Sequence, residues 1–383
     1  MRDGWVETPI ADIAQVLSGY AFKSELFNKS EGIPLIRIRD LPKRDSTEAL
    51  YSGSYEDRYV VKKGDFLIGM DGEFHCYEWN GPHALLNQRV CRIQDFKIDR
   101  VVPRYIYFAV NQYLDKIEQD TGYTTVKHIS AKQVLGITIP LPPLPEQKRI
   151  VDLISSMDSY VEALEQQLES AKRSRNAVLH ELLTAGGDDW VETTLHGIAD
   201  VIMGQSPDGK SYNQEGKGLP FMQGSAEFGE HNPVPEKWCS DPKKIAEPGD
   251  LLLSVRAPVG DTNFADQRIA VGRGLSIIRA NKESLTEFIR LVIQLNVAEL
   301  IASSGGGMFA SITGKNLKEF KVNLPPLPEQ KRIVEIINTI DEVIAKTALA
   351  TNKAKELRSG LLSDLLSGEH EIPADYDKVI GAA

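Results

Sequence analysis

The residues Gly204-Gln-Ser-Pro-Asp-Gly-Lys210-Ser211 fit the phosphate-cradling pattern GxxxxGK[ST] letter for letter. In a working phosphate loop a helix starts at the lysine and aims backbone N–H groups at the phosphates. Here the lysine leads into Ser-Tyr-Asn-Gln-Glu-Gly-Lys-Gly-Leu-Pro220, and glycines and a proline stand where that helix should run. A second chemistry, metal-assisted hydrolysis, would draw on Asp208, Glu215 and Lys217, since paired acids with a lysine activate water on a metal. Their spacing is cramped and the segment lacks a strand pattern. A nucleotide-binding or nuclease enzyme built around Gly204 to Lys217 is therefore the alternative to be weighed. Asn323-Leu-Pro-Pro326 has the wrong order for the Asn/Asp-Pro-Pro-aromatic tetrapeptide of an amino-methyltransferase. The seven histidines are scattered, and Cys76, Cys91 and Cys239 contain no CxxC pair, so the sequence supports neither a zinc site nor a disulfide framework and assigns the cysteines to core packing. No catalytic residue, metal site or cofactor is expected in this chain.

The elements around these residues repeat. Leu141 to Val151, LPPLPEQKRIV, returns unchanged at Leu324 to Val334. Around it, Trp5-Val-Glu-Thr returns at Trp190, Gly64-Asp-Phe-Leu at Gly249-Asp-Leu-Leu, and Ile129-Ser-x-Lys132 at Ile312-Thr-x-Lys315. The chain is thus two tandem copies of one unit, the first thing to establish when reading a fold. The prolines hold the chain extended before each anchor, and Pro145 and Pro328 suit the first turn of a helix, where a missing N–H costs nothing. Glu146 and Glu329 then face the positive end of the helix dipole.

From Ile150 to Leu182, and again from Ile333 to Leu365, seam residues follow at steps of four and three, which is a heptad pattern. Two helices of this length are spacers, and their matched seams predict an antiparallel pair. Gly186-Gly187 and Gly368 end them. Between the anchors each copy reads as short strands, a helix and a polar loop. In the first copy the strands are Pro34 to Arg39, Phe66 to Met70 and Leu85 to Ile93, the helix Tyr105 to Ile117, and the loop Thr121 to His128. In the second they are Phe221 to Gly224, Leu251 to Arg256 and Ile269 to Ile278, then Leu285 to Ile301 and Ser303 to Ser311. The frameworks match while the polar loops differ, as when one scaffold presents two binding surfaces. The domain boundaries read from this are 1–144, a spacer helix 145–187, 188–327, a second spacer helix 328–368, and a mobile tail 369–383.

The net charge of -10 over 383 residues excludes a free-standing nucleic-acid binder held by bulk electrostatics. Counted by segment, residues 1–144 carry 18 basic and 19 acidic side chains, and 188–327 carry 14 and 18. Any DNA contact must come from local basic loops, with help from elsewhere. No apolar run approaches the roughly eighteen residues that cross a bilayer, and the start MRDGWVETP lacks the apolar core of a signal peptide. A cytoplasmic chain is expected.

Two α/β units, each followed by PPLPEQ and a long heptad helix, resemble the specificity subunits of type I restriction-modification enzymes. The likeness runs from Trp5 to about Gly368 and includes Gly249-Asp-Leu-Leu-Leu-Ser-Val-Arg-Ala-Pro258, Gly272-Arg-Gly274, Gly64-Asp-Phe-Leu and Leu86-Asn-Gln-Arg89. It departs at Ile10-Ala-Asp-Ile13 and Leu195-His-Gly-Ile198, where the family more usually has Leu-Gly-Asp. The resemblance implies an α+β fold of two pseudo-symmetric α/β target recognition domains joined by two long antiparallel coiled-coil helices. It implies a non-catalytic chain reading a bipartite, asymmetric double-stranded DNA target with one domain per half-site. Two adenine-N6 modification subunits carrying S-adenosylmethionine would dock on the helices, with Pro145, Glu146, Gln147, Pro328, Glu329 and Gln330 taken for that contact, and two restriction/motor subunits would complete the complex. Placed on the loops, DNA reading falls in the first unit to Arg37, Arg39, Asn87, Arg89, Tyr123, Thr124, Thr125, Lys127 and His128. In the second it falls to Gln223, Ser225, Arg256, Arg273, Gly305, Gly306, Gly307, Met308, Ser311 and Lys315. Arginine pairs bidentately with guanine, and asparagine or glutamine with adenine.

Overall fold

The computed structural model describes residues 4–120, 127–302, 311–373 and 375–380. The chain divides into two compact units, Met1–Ala163 with Thr351–Ala383 and Leu164–Ala350. The division falls inside both long helices, Leu144–Thr184 and Leu327–Ser367.

In the first unit a ribbon pairs Val6–Pro9 with Thr138–Leu141. A four-stranded antiparallel sheet runs in the order Gln15–Ser18, Val90–Gln94, Phe66–Gly69 and Cys76–Glu78. Five shorter strands form a mixed sheet, in which Ile33–Ile36 lies parallel to Ala84–Leu86. The second unit repeats this strand for strand. Val191–Thr194 pairs with Lys321–Leu324, the four-stranded sheet is Ala199–Met203, Leu275–Ala280, Leu251–Ser254 and Thr262–Phe264, and Leu219–Met222 lies parallel to Ile269–Val271. Strands read from sequence as Leu85 to Ile93 and Ile269 to Ile278 are each two strands broken by a turn, at residues 87–89 and 272–274.

The repeated Gly-Asp pair explains how the sheets are tied. Gly64 and Gly249 adopt φ +92° and +89°, the left-handed region that glycine enters without penalty. The next residue then turns back: Asp65 Oδ2 accepts from Lys62 N at 2.8 Å and Asp250 Oδ2 from Glu247 N at 2.8 Å. The same carboxylates bind an arginine on the neighbouring strand, Arg92 at 3.0 Å and Arg279 at 2.6 Å.

The helix Pro103–Asp120 buries Tyr105, Ile106 and Phe108 in the first core, and Thr286–Ala302 buries Phe288, Ile289 and Leu291 in the second. Each unit also contains one end of each long helix, and there the two run antiparallel. In the first, Asp158 pairs with Arg358 while the earlier Ile150 and Ile154 share a core with the later Leu365 and Leu366. In the second, Arg175 pairs with Asp341 while the later Leu179 and Leu183 share a core with the earlier Ile333 and Ile337. Both helices begin one residue before the proline, which remains inside the first turn where no N–H partner is needed. Of the segment after Glu369, expected to be mobile, Ile372 is buried in the first core and Asp377 bonds Arg149 at 2.9 Å. All three cysteines are free and buried.

Candidate nucleic-acid interface

Several of the residues expected from sequence to read DNA sit where strands of the two sheets end together. In the second unit Met222 and Val271 are paired in parallel, so Gln223 and the turn Gly272–Gly274 emerge side by side. Ser254 pairs with Leu275, and Val255 N donates to Gly274 O at 2.9 Å, which brings Arg256 to the same place. Ile312 N donates to Val255 O at 2.9 Å and Arg256 bridges Ser311, adding the start of the next segment. Gln223, Ser225, Arg256 and Arg273 thereby line one concavity of about 210 Å³. Gln223, Arg256, Arg273 and Ser311 are exposed. Gly274 has no room for a side chain, since a Cβ there would lie 2.1 Å from Gln223 O. Lys315 is exposed on the short helix Gly314–Glu319, 4.0 Å from Glu319. Gly305, Gly306, Gly307 and Met308 lie outside the described residues.

The first unit uses the same frame with other side chains. Ile36 and Leu86 are paired in parallel and release Arg37 and Asn87 together. Met70 N donates to Arg89 O and Ile129 N to Met70 O, both at 2.9 Å, and Asp71 bridges His128 as Arg256 bridges Ser311. Asp71 Oδ2 accepts from Arg89 Nη1, and its Oδ1 lies 2.6 Å from His128 Nδ1. Partial burial alone would raise the Asp71 carboxyl; the hydrogen bonds from His128 and Arg89 outweigh it and hold the carboxyl below its ordinary range. Lys127 Nζ binds Glu118 Oε1 at 3.2 Å. Asn87 Oδ1 accepts from Gln88 N at 2.9 Å. Tyr123, Thr124 and Thr125 lie outside the described residues.

Arg37 and Arg39 are placed differently from the expected exposed strand. The strand stops at Ile36, and Arg37 caps the 3-10 helix Ile38–Lys43. Asp40, three residues on, accepts from both the Arg37 backbone N–H (3.1 Å) and its Nε (3.0 Å), so the local pair ends the strand. Arg39 is exposed on that helix. Asp71 is the residue that sequence reasoning passed over, and its signal was the turn Met70-Asp71-Gly72 at the end of a buried strand.

The glutamines taken for a partner contact are committed inside the chain. Gln147 is fully buried: its amide donates to Arg100 O at 3.0 Å and Pro142 O at 2.8 Å, and its Oε1 accepts from Val102 N at 2.8 Å. Gln330 repeats this with Glu283 O and Pro325 O, each at 2.9 Å, and Leu285 N at 2.9 Å. Glu146 and Glu329 accept the indole N–H of Trp5 (3.1 Å) and Trp190 (3.0 Å). The PEQ motif thus fastens each helix to its unit, while Pro145 and Pro328 remain exposed.

The phosphate-loop alternative is corrected by geometry. Gly209–Ser211 is a single 3-10 turn running into the strand Tyr212–Asn213, so no helix N-terminus follows Lys210. Gly204 serves close packing, since a Cβ there would lie 2.1 Å from Gly272 O, and Ser211 Oγ is bonded to Asp208 O at 2.6 Å. Lys217 pairs with Glu215. Among the described residues no group of three or more His, Cys, Asp or Glu is placed to hold a metal ion.

The family model for the type I restriction modification DNA specificity domain matches twice, at residues 2–173 and 187–357. The chain belongs to the type I restriction-modification specificity subunits. It is 31% identical to a putative type I restriction enzyme MjaX specificity subunit of Methanocaldococcus jannaschii, over 96% of this chain and 94% of that one. It is 28% identical to the type I restriction enzyme EcoBI specificity subunit of Escherichia coli, over 99% and 92%. A solved chain described under complex assembly and conformational transition of the type I R-M system superposes with a TM-score of 0.65 at 26% identity, covering 96% of this chain and 98% of that one. As a specificity subunit the chain recognises a DNA target rather than catalysing a reaction, and the enzyme alternative around Gly204 to Lys217 has no support. The fold is the expected α+β arrangement of two similar α/β units with two long helices. No helix among the described residues is long and apolar enough to cross a membrane.

Proposed function

We propose that the chain reads a bipartite, asymmetric double-stranded DNA target, with residues 1–144 on one half-site and 188–327 on the other. The observation that carries this is the doubled frame with unlike tips. The same strand ends present Asp71, Arg89 and His128 in one unit and Gln223, Arg256, Arg273 and Ser311 in the other. Identical tips would read two identical half-sites. Donor-rich side chains grouped at one edge suit base edges in the major groove, and the exposed lysines suit phosphates.

Two modification subunits, holding S-adenosylmethionine and methylating adenine at N6, dock on the helix segments 145–187 and 328–368. Tyr160 and Val343, 183 positions apart, are 55% and 50% exposed, so each copy offers an apolar residue at the same repeat position. Pro145 and Pro328 lie on the same exposed helix starts, whereas Gln147 and Gln330 act as internal fasteners. Two restriction/motor subunits complete the cytoplasmic complex. The partners also supply phosphate contacts that a chain of net charge -10 lacks, so the chain alone binds cognate DNA poorly at physiological salt.

Exchanging residues 1–144 for the same segment of another family member tests the reading. Sequencing of methylated sites in a host carrying the complex is expected to show one half-site changed and the other retained. A change in both halves, or in neither, refutes the division of labour.

A further inference from the structure

We infer that Asp71 is a positioning residue of the first unit's DNA-reading surface, holding Arg89 and His128 so that the free edge of the Arg89 guanidinium meets a guanine in one half-site. This rests on the proposed function and names one base-reading device within it.

Three segments meet at Asp71, and the backbone fixes all three before any side chain is considered. Met70 N donates to Arg89 O, Ile129 N to Met70 O, and Gly72 N to Lys127 O at 3.0 Å. The side chains are layered in depth: Asp71 is 18% exposed beneath Arg89 at 58% and His128 at 53%. Each carboxylate oxygen takes one partner, Oδ2 the arginine and Oδ1 the histidine. An unsupported exposed arginine samples many rotamers, whereas one whose Nη1 is held by a half-buried carboxylate has the direction of its planar fork restrained. That fork matches guanine O6 and N7, the commonest specific contact in the major groove. His128, bonded through Nδ1, is left with Nε2 for a neighbouring group.

The second unit argues against a purely framework role. At the register-equivalent position it has Arg256, whose backbone makes the same bridge to Ser311 and whose preceding residue makes the same bond to Ile312. The frame accepts a cation or a carboxylate there, so the fold does not require Asp71. A carboxylate facing phosphates also opposes binding to DNA in general, and its presence is explained by the arginine it orients.

The test uses the complete complex with its modification subunits. Its affinity is measured for duplexes in which each base pair of both half-sites is changed in turn. Asp71→Asn, nearly isosteric, is expected to lower discrimination at one G·C pair of the first half-site by roughly tenfold or more, within the range of one bidentate contact. Non-cognate binding at low salt should rise, because a negative charge near phosphates has been removed. Arg89→Ala should lose the same base pair. The second half-site serves as the folding control and should be read unchanged. If Arg89→Ala removes that discrimination while Asp71→Asn leaves it intact, Arg89 reads unaided and the inference is overturned with the function standing. If neither substitution affects the first half-site, the assignment of these residues to DNA fails as well. Equal losses at both half-sites would make Asp71 a scaffold residue and also overturn the inference.

Discussion

Arg175 Nε of the first long helix lies 2.7 Å from Asp341 Oδ1 of the second, and Gln294 accepts from the same guanidinium at 3.3 Å. The other unit contains the relation with the roles exchanged: Arg358 of the second helix lies 2.7 Å from Asp158 of the first. Each arginine and each aspartate is 183 positions from its counterpart, so one repeated pair sets the antiparallel register at two places. Both pairs are partly open to solvent, so each should contribute little. In a double-mutant cycle, Arg175→Ala with Asp341→Ala should give a coupling of up to about 1 kcal/mol. Denaturant unfolding of the chain measures this, and zero coupling at low salt would remove the pair from any role in the register.

A larger loss is expected at the buried glutamines. Gln147→Leu removes a donor to two carbonyls and an acceptor for Val102 N, leaving polar backbone stranded beneath the helix start. At about 1 to 3 kcal/mol for a buried group left unsatisfied, the substitution should destabilise the first unit by at least that amount. Gln330→Leu should do the same to the second. Hydrogen exchange should accelerate around residues 100–102 in the first variant and 283–285 in the other. Unchanged protection in either place would contradict the fastening role.

The repeat and the long helices were legible because periodicity is a local signal. Gly272-Arg-Gly274 carries the glycines of a turn, yet Ile269 to Ile278 reads as one strand because apolar residues continue on both sides of it, and the matched Asn87-Gln-Arg89 has no glycine to break Leu85 to Ile93. Arg37 was misplaced for a related reason. Alternation through Ile36 and Ile38 favours a strand, but Asp40 three residues later captures the Arg37 N–H and guanidinium and ends it. The glutamines escaped because a polar side chain is normally read as surface, and only the tertiary fit supplies three partners to bury it. Asp71 escaped because an acid is a poor candidate for a DNA surface until the residues it holds are known.

Glu118 gives a pH dependence of definite sign. Its carboxyl is held below its ordinary value first by the Phe74 N–H, bonded at 2.9 Å, with the Lys127 ammonium also lowering it, against a smaller opposing effect of burial. A carboxyl depressed in the folded state stabilises it above the unfolded pKa of about 4.3, and that contribution disappears as pH falls through the folded value. The stability difference between the parent and Glu118→Gln should therefore be level from pH 8 to about 5 and shrink below about 4. Unfolding measured across that range checks it. A difference that grew on acidification would show the sign to be wrong.

The second unit separates reading from holding. Arg256 is exposed at the rim of the concavity, its backbone fixed by the bridge to Ser311, and Arg273 stands between two buried glycines beside it. Among the described residues neither pairs with a carboxylate, in contrast to Arg89, but both emerge from clamped turns. Lys315 lies farther along on an exposed helix, 80% accessible, with a compact charge suited to a phosphate. Arg256→Ala in the assembled complex should cost about 1 to 3 kcal/mol of discrimination at one base pair of the second half-site. The first half-site should be untouched. Lys315→Ala should weaken cognate and non-cognate DNA alike and reduce the salt slope by about one. Competition binding at several salt concentrations distinguishes the two. If Arg256→Ala weakened all sequences equally, the concavity would be a phosphate seat, and base reading in this unit would have to come from other residues.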